Sequence, residues 1–146
     1  MKKFLVVRHG SYNGDSGELD MYGRRQIGEL AEKLKPHMTG TVKVISSWER
    51  RAVQSAQILA PILGVSADQV EMFALLERGD LDDVYDLVLS IQASVETLVI
   101  VGHQWLWMFP KFYGDRALGL VLSASDLKTG EACILDCEEK TLAHVA

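Results

Sequence analysis

Three short stretches of this chain hold the residue types from which an anion site is built. Arg8-His9-Gly10 follows the apolar run Phe4–Val7, and Ser46-Ser47 follows Val42–Ile45 and leads to Arg50-Arg51. Gly102-His103 follows a third apolar run, Thr97–Val101. A guanidinium is a planar, permanently charged fork of donors that fits phosphate oxygens two at a time. A neutral imidazole has a ring nitrogen that can attack phosphorus near pH 7. Carboxylates are scarce at these three places. Two histidines with at least two arginines therefore suit a phosphate dianion and nucleophilic attack upon it.

Each piece alone is weak. A histidine at a strand end is more often structural, Gly10 belongs at any tight turn, and Arg50-Arg51 on a helix is usually a solvated pair. Their order along the chain gives them weight, because ligands of open α/β sheets bind at the carboxyl ends of the strands. The two arginines also separate by helical phase. Arg50 shares a face with Gln54, Gln57 and Pro61, while Arg51 sides with Ser55, Ile58 and Ile62 at the edge of the apolar stripe. Arg51 is the one placed to lean over the sheet end.

The elements that must position these residues follow from the apolar patterning. Phe4–Val7, Val42–Ser46 and Thr97–Val101 are short continuous runs, the pattern of parallel strands covered on both faces. Tyr22–Lys35 places Ile27, Leu30, Ala31 and Leu34 on one helical face and stops at Pro36. Glu49–Leu63 is a second helix, opened by a Ser46-Ser47-Trp48-Glu49 capping box and closed by Gly64. Val70–Phe73 has the makings of a short strand. Leu81–Gln92 repeats apolar residues at helical spacing. A helix from Gln104 carries Trp105, Met108, Phe109 and Phe112 and is interrupted by Pro110. The Trp105–Tyr113 aromatics are open to three readings: core, substrate wall or partner surface, including a dimer contact. Leu118–Ser123 and Glu131–Asp136 read as a closing antiparallel pair around Lys128-Thr129-Gly130. The expected fold is α/β: one domain over 1–146, a three-layer α/β/α sandwich on a mostly parallel central sheet with one antiparallel edge strand.

Composition sets outer bounds. Of the 146 residues, 48% are hydrophobic and 24% charged, a balance that suits a packed core rather than disorder. A formal net charge of −5 argues against a nucleic-acid-coating surface, without forbidding a small basic pocket. No apolar stretch reaches the length of a membrane span. Cys133 and Cys137 fall on one expected strand, with Cα atoms about 13 Å apart, too far for a disulfide. A reducing, cytoplasmic setting follows. The oligomeric state is not fixed by any of these features.

The same blocks resemble the histidine phosphatase (phosphoglycerate mutase-like) superfamily. The resemblance runs from Phe4 to about Phe109 through Val6-Val7-Arg8-His9-Gly10, Leu19-Asp20-Met21-Tyr22-Gly23-Arg24-Arg25-Gln26, Ser46-Ser47-Trp48-Glu49-Arg50-Arg51-Ala52-Val53-Gln54-Ser55-Ala56 and Val99-Ile100-Val101-Gly102-His103. It implies that His9 is the phosphorylated histidine, with Arg8 and Arg51 as phosphate-binding arginines. It implies that His103 holds the phosphoryl group and that Glu77 protonates the leaving group, with Asp80, Asp82 and Asp83 near enough in sequence to compete. Asn13 is a candidate phosphate contact in the Ser11-Tyr12-Asn13 segment, where larger members carry a longer Glu-Thr-x-x-Asn type of loop. The chain departs from the family pattern at Asp20, Trp48 and Ser55. No metal or other cofactor is implied.

The implied reaction is ping-pong transfer to His9 and hydrolysis of the phosphohistidine. The short stretch between Gly64 and Leu81 leaves little room for a lid, which suits a bulky substrate such as a phosphohistidine protein, as in short bacterial phosphohistidine phosphatases. A small-molecule phosphomonoesterase and a non-catalytic phosphate- or partner-binding module are the alternatives.

Overall fold

Phe4-Leu5-Val6-Val7 offers no polar side chain to solvent, so a strand made of it must be covered on both faces. The computed structural model, which describes residues 1–146, places it as β1 (Lys3–Arg8), with all four residues fully buried. β1 pairs in parallel with β4 (Thr97–Gly102), which pairs in parallel with β2 (Val42–Ser46). The two-residue β3 (Glu71–Met72) adds to the far side of β2. On the other side of β1 lies β5 (Ala132–Asp136), antiparallel, followed by β6 (Thr141–Val145), antiparallel to β5. The six-stranded order is β3-β2-β4-β1-β5-β6.

Alternate residues of the central strands feed two cores, as the two-residue side-chain period demands. Leu5, Val7, Val44, Val99 and Val101 pack against α1 (Met21–Leu34) and α2 (Arg50–Ile62). Phe4, Val6, Ile45, Leu98 and Ile100 pack on the opposite face. That face is covered by α3 (Leu75–Arg78), α4 (Leu81–Ile91) and α5 (Phe109–Leu118). The result is the expected α/β/α sandwich with a mostly parallel sheet. The aromatics after His103 largely belong to this second core. Phe109 is fully buried edge-on to Phe4 at 5.3 Å between ring centroids, and the Tyr113 hydroxyl donates to Gln92 Oε1 at 2.8 Å.

Three local expectations change. The antiparallel edge is a pair, and its outer strand is β6. Leu118–Ser123 forms no strand: Gly119 ends α5 in the left-handed region, at φ 65°. The chain then wraps α5, with Leu122 packed on the second core and Leu127 fully buried. Strand β6 was not legible because its side chains are mostly exposed, so no strong alternation marks it. Pro110 does not interrupt a helix. It stands in the first turn of α5, where its missing N–H costs nothing, after a 3₁₀ turn over Gln104–Met108.

The third change concerns the start of α2. No capping box forms there, and the N-cap residue is Glu49, whose side chain makes no cap hydrogen bond. Ser46 Oγ donates instead to the Ser47 carbonyl at 3.0 Å. Helix α1, by contrast, is capped by Asp20, which accepts from Gly23 N at 2.7 Å and from Ser11 Oγ at 2.8 Å. Asp20 therefore serves as a cap where the family pattern has threonine.

Candidate active site

The strand register brings the three loaded ends into line. Arg8 stands opposite Gly102, and Ser46 opposite Val101. The ladder runs one residue beyond the strands: His9 N donates to the Gly102 carbonyl at 3.0 Å and Ser47 N to the Val101 carbonyl at 3.1 Å. His9, Ser47 and His103 therefore leave the sheet side by side. The two imidazoles lie 5.3 Å apart between centroids, tilted by 64°.

Backbone proximity fixes the loop after His9. A Cβ on Gly23 would come within 2.0 Å of the Ser11 carbonyl oxygen, and one on Gly10 within 2.8 Å of the Gly23 carbonyl oxygen. The first turn of α1 can approach the His9 loop only because both residues are glycine. Ser55 ties the same loop to α2: its Oγ accepts from Gly10 N at 3.1 Å and donates to the Arg51 carbonyl at 2.7 Å.

His9 is 3% exposed. Its Nδ1 lies 2.9 Å from the Gly10 carbonyl oxygen, which can only accept, so Nδ1 has the proton. Nε2 is left with its lone pair, and Arg51 Nε–H donates to it at 3.3 Å. Burial pulls the His9 imidazole down to about 4. The charges of His103, Arg51 and Arg8 act the same way, against the Gly10 hydrogen bond. His103 is also pulled down to about 4, by burial and then by Arg51. Its Nε2 is 2.8 Å from Ser47 Oγ. Both histidines are neutral at pH 7, and His9 has one tautomer, whose Nε2 lone pair meets the Arg51 donor.

The arginines are held differently. Arg51 is 21% exposed while Arg50 is 70% exposed, as the helical phase requires. The Arg51 guanidinium stacks on the Tyr12 ring at 4.5 Å, and its Nη1 donates to Glu49 Oε2 at 3.2 Å. The Tyr12 ring also packs T-shaped against the His9 imidazole, at 5.2 Å between centroids. Arg8 Nη1 donates to the Leu127 carbonyl at 2.7 Å, and its buried Nε–H has no hydrogen-bond partner. The irregular segment before β5 therefore fastens Arg8. Gly130 N adds bonds to the carbonyls of Arg8 and His9 at 3.2 and 3.0 Å.

Glu77 lies in α3, whose Leu76 is anchored in the second core. Its carboxyl is hydrogen-bonded to that of Glu49, which holds Glu77 above the usual carboxylate range. The competing aspartates are engaged elsewhere. Asp80 and Asp83 form a reciprocal capping box at the start of α4, and Asp82 pairs with Arg116. Asn13 stands in an exposed loop, where its Oδ1 accepts from Asp15 N and Ser16 N. The structure thus gathers Arg8, His9, Arg51, His103 and, through Glu49, Glu77. Sequence reasoning missed Glu49, Ser47 and Tyr12 as neighbours of these groups. Only the position of Glu49 two residues before Arg51 could have drawn attention to it. Nowhere do three His, Cys, Asp or Glu side chains converge as metal ligands would. No helix is long and apolar enough to cross a membrane, and both cysteines are free thiols.

The sequence matches no protein-family model and no curated protein. Solved structures share its fold over nearly the whole chain. A protein histidine phosphatase SixA complexed with tungstate is similar at a TM-score of 0.75 and 18% identity, over 99% of this chain and 96% of that one. A mycobacterial glucosyl-3-phosphoglycerate phosphatase in complex with VO3 is similar at 0.66 and 18% identity, over 92% of each chain. A phosphoserine phosphatase from Entamoeba histolytica in complex with 3-phosphoglyceric acid is similar at 0.62 and 16% identity, over 100% of this chain and 96% of that one. The likeness establishes the fold as that of these phosphatases.

Proposed function

We propose that this chain is a metal-independent histidine phosphatase acting through a phosphohistidine on His9, with phosphorylated protein side chains, phosphohistidine above all, as its substrates. The observation that carries this reading is the state of His9: neutral, one tautomer, with the Nε2 lone pair directed at a guanidinium. Arg51 yields that contact to a bound phosphoryl group. Nε2 then forms the bond to phosphorus as the bond to the leaving atom breaks, in line. Arg8, Arg51 and His103 surround the equatorial oxygens, where preorganised donors stabilise developing charge. The unpaired Nε–H of Arg8 is a donor that an oxyanion satisfies. Glu77 gives its proton to the leaving oxygen or nitrogen. Glu77 carboxylate then takes a proton from the water that attacks phospho-His9, and inorganic phosphate leaves.

The shortness of the segment between Gly64 and Leu81, which forms only a 3₁₀ turn, the two-residue β3 and the one-turn α3, supports a bulky substrate. The neighbour named a protein histidine phosphatase supports the same class. The two neighbours named for small phosphate esters support a second reading, a small-molecule phosphomonoesterase. The free cysteines belong with a reducing, cytoplasmic setting.

A panel of a phosphohistidine protein, sugar phosphates and p-nitrophenyl phosphate separates the readings. The phosphohistidine protein is expected to give the highest kcat/KM, unchanged by a metal chelator. His9→Ala is expected to abolish turnover, and the phosphoenzyme trapped from the wild type should be acid-labile. An acid-stable adduct or an active His9→Ala variant overturns the mechanism. Tight phosphate binding without turnover would make the chain a binding module instead.

A further inference from the structure

Glu49 occupies the N-cap position of α2 with extended backbone (φ −63°, ψ 139°), where an acidic side chain ordinarily accepts from the first free amides of the helix. It does not. The carboxylate turns into the site, where Oε2 takes the Arg51 Nη1–H at 3.2 Å and the other contact is the Glu77 carboxyl. Two ionised carboxylates have no hydrogen to share, so a hydrogen bond between them requires one proton. Arg51 decides where it resides. The guanidinium favours charge on Glu49, the carboxyl it touches, so the proton belongs to Glu77.

We propose that Glu49 is the positioning residue of this site: one carboxylate anchors the Arg51 guanidinium and holds the acidic proton on Glu77. The inference rests on the phosphatase reading and assigns Glu49 a part in it. Arg51 is thereby fixed along two edges, Nε on His9 and Nη1 on Glu49. The groups facing the carboxyl pair are Arg51, His103 and Arg78, whose Nε is 3.8 Å from Glu77 Oε1 on a largely exposed arm. Arg78 and Arg51 both oppose protonation of Glu77. The hydrogen bond to Glu49, the negative charge of Glu49 and the loss of solvent favour it, and they prevail. Glu49 is held below the usual range by that same hydrogen bond, with Arg51 assisting.

The arrangement has a cost that makes it testable. A carboxylate beside the phosphate clamp competes with the substrate for Arg51 and repels its charge. Glu49→Gln removes the charge at constant size, and no cap bond is lost with it. KM for phosphate esters should fall. Glu77 should lose its proton at lower pH, and the alkaline limb of kcat/KM should move to lower pH with it. At pH 7 this should lower kcat for phenyl phosphate on the order of tenfold, and much less for p-nitrophenyl phosphate, whose leaving group needs little acid. Glu49→Asp, which keeps the charge, should restore part of the alkaline limb. Carboxyl ¹³C NMR titration of Glu77, assigned with Glu77→Gln, reads the same shift without turnover. An equal Glu77 midpoint in wild type and Glu49→Gln overturns the proposal, as does an unmoved alkaline limb. If the wild type turns over none of the phosphates, the phosphatase reading fails, while the NMR titration still decides the pairing.

Discussion

Helices α2 and α4 both begin with an acidic residue at the N-cap, and the two ends are built to opposite purposes. At α4, Asp80 accepts from Asp83 N at 2.9 Å, and Asp83 returns a longer bond to Asp80 N at 3.4 Å. The acidic groups there satisfy the helix's own free amides, which is the local optimum for a helix start. At α2, Glu49 leaves the helix amides alone and joins Arg51 and Glu77. The first end holds structure; the second holds a charge network next to His9. A helix start that declines its cap is therefore informative, because its side chain is committed to something outside the helix.

The comparison breaks first at Arg51. Arg51→Ala removes the contacts to His9 Nε2, Glu49 and Tyr12 together, and should lower kcat/KM by about 10²–10³-fold. Its neighbour Arg50, solvent-facing with only a 3.9 Å approach to Glu18, should be replaceable by alanine within about twofold. Comparable losses from both variants would show that helical phase does not separate them.

A second test uses pH. His9 and His103 bind protons near 6.5 when free of the fold but only near 4 within it. Between those values the unfolded chain holds more protons, so stability should fall as pH drops from 6.5 towards 4. Thermal unfolding across this window should show the decline, and the His9→Gln/His103→Gln double variant should flatten it. A slope that survives both substitutions would place the titrating groups elsewhere.

The smallest expected effect sharpens the contrast most directly. Asp80→Ala loses a working cap and should cost about 1 kcal/mol of stability, with turnover nearly unchanged. Glu49→Ala should reverse the pattern, changing turnover while leaving denaturant midpoints close to wild type. Equal destabilisation by both would mean that Glu49 caps α2 in solution after all.

Local chemistry made much of the site legible. Continuous apolar runs identified β1, β2 and β4, since strands buried on both faces have no polar positions to spare. Helical phase chose Arg51 over Arg50 because a 3.6-residue period separates adjacent residues by about 100°. The resemblance supplied Glu77, and nothing local distinguished it from three nearby aspartates. The second antiparallel strand escaped notice because β6 is an exposed edge with little apolar signal. Leu118–Ser123 misled because Leu118 closes α5 and Leu122 packs back beside Gly114 of that helix, a choice that no short window reveals.

What the amino-acid order determined by itself was the set of strands whose ends bear Arg8, His9 and His103 and the helix face that bears Arg51, since burial pattern and helical phase are local properties. What only the tertiary structure decided was the condition of those groups. The Gly10 carbonyl and Arg51 assign the His9 tautomer, Leu127 fastens Arg8 from far along the chain, and Glu49 meets Glu77 across two elements. Protonation and hydrogen-bond partnership depend on distances between segments and on the exclusion of water. Neither quantity exists until the chain has folded.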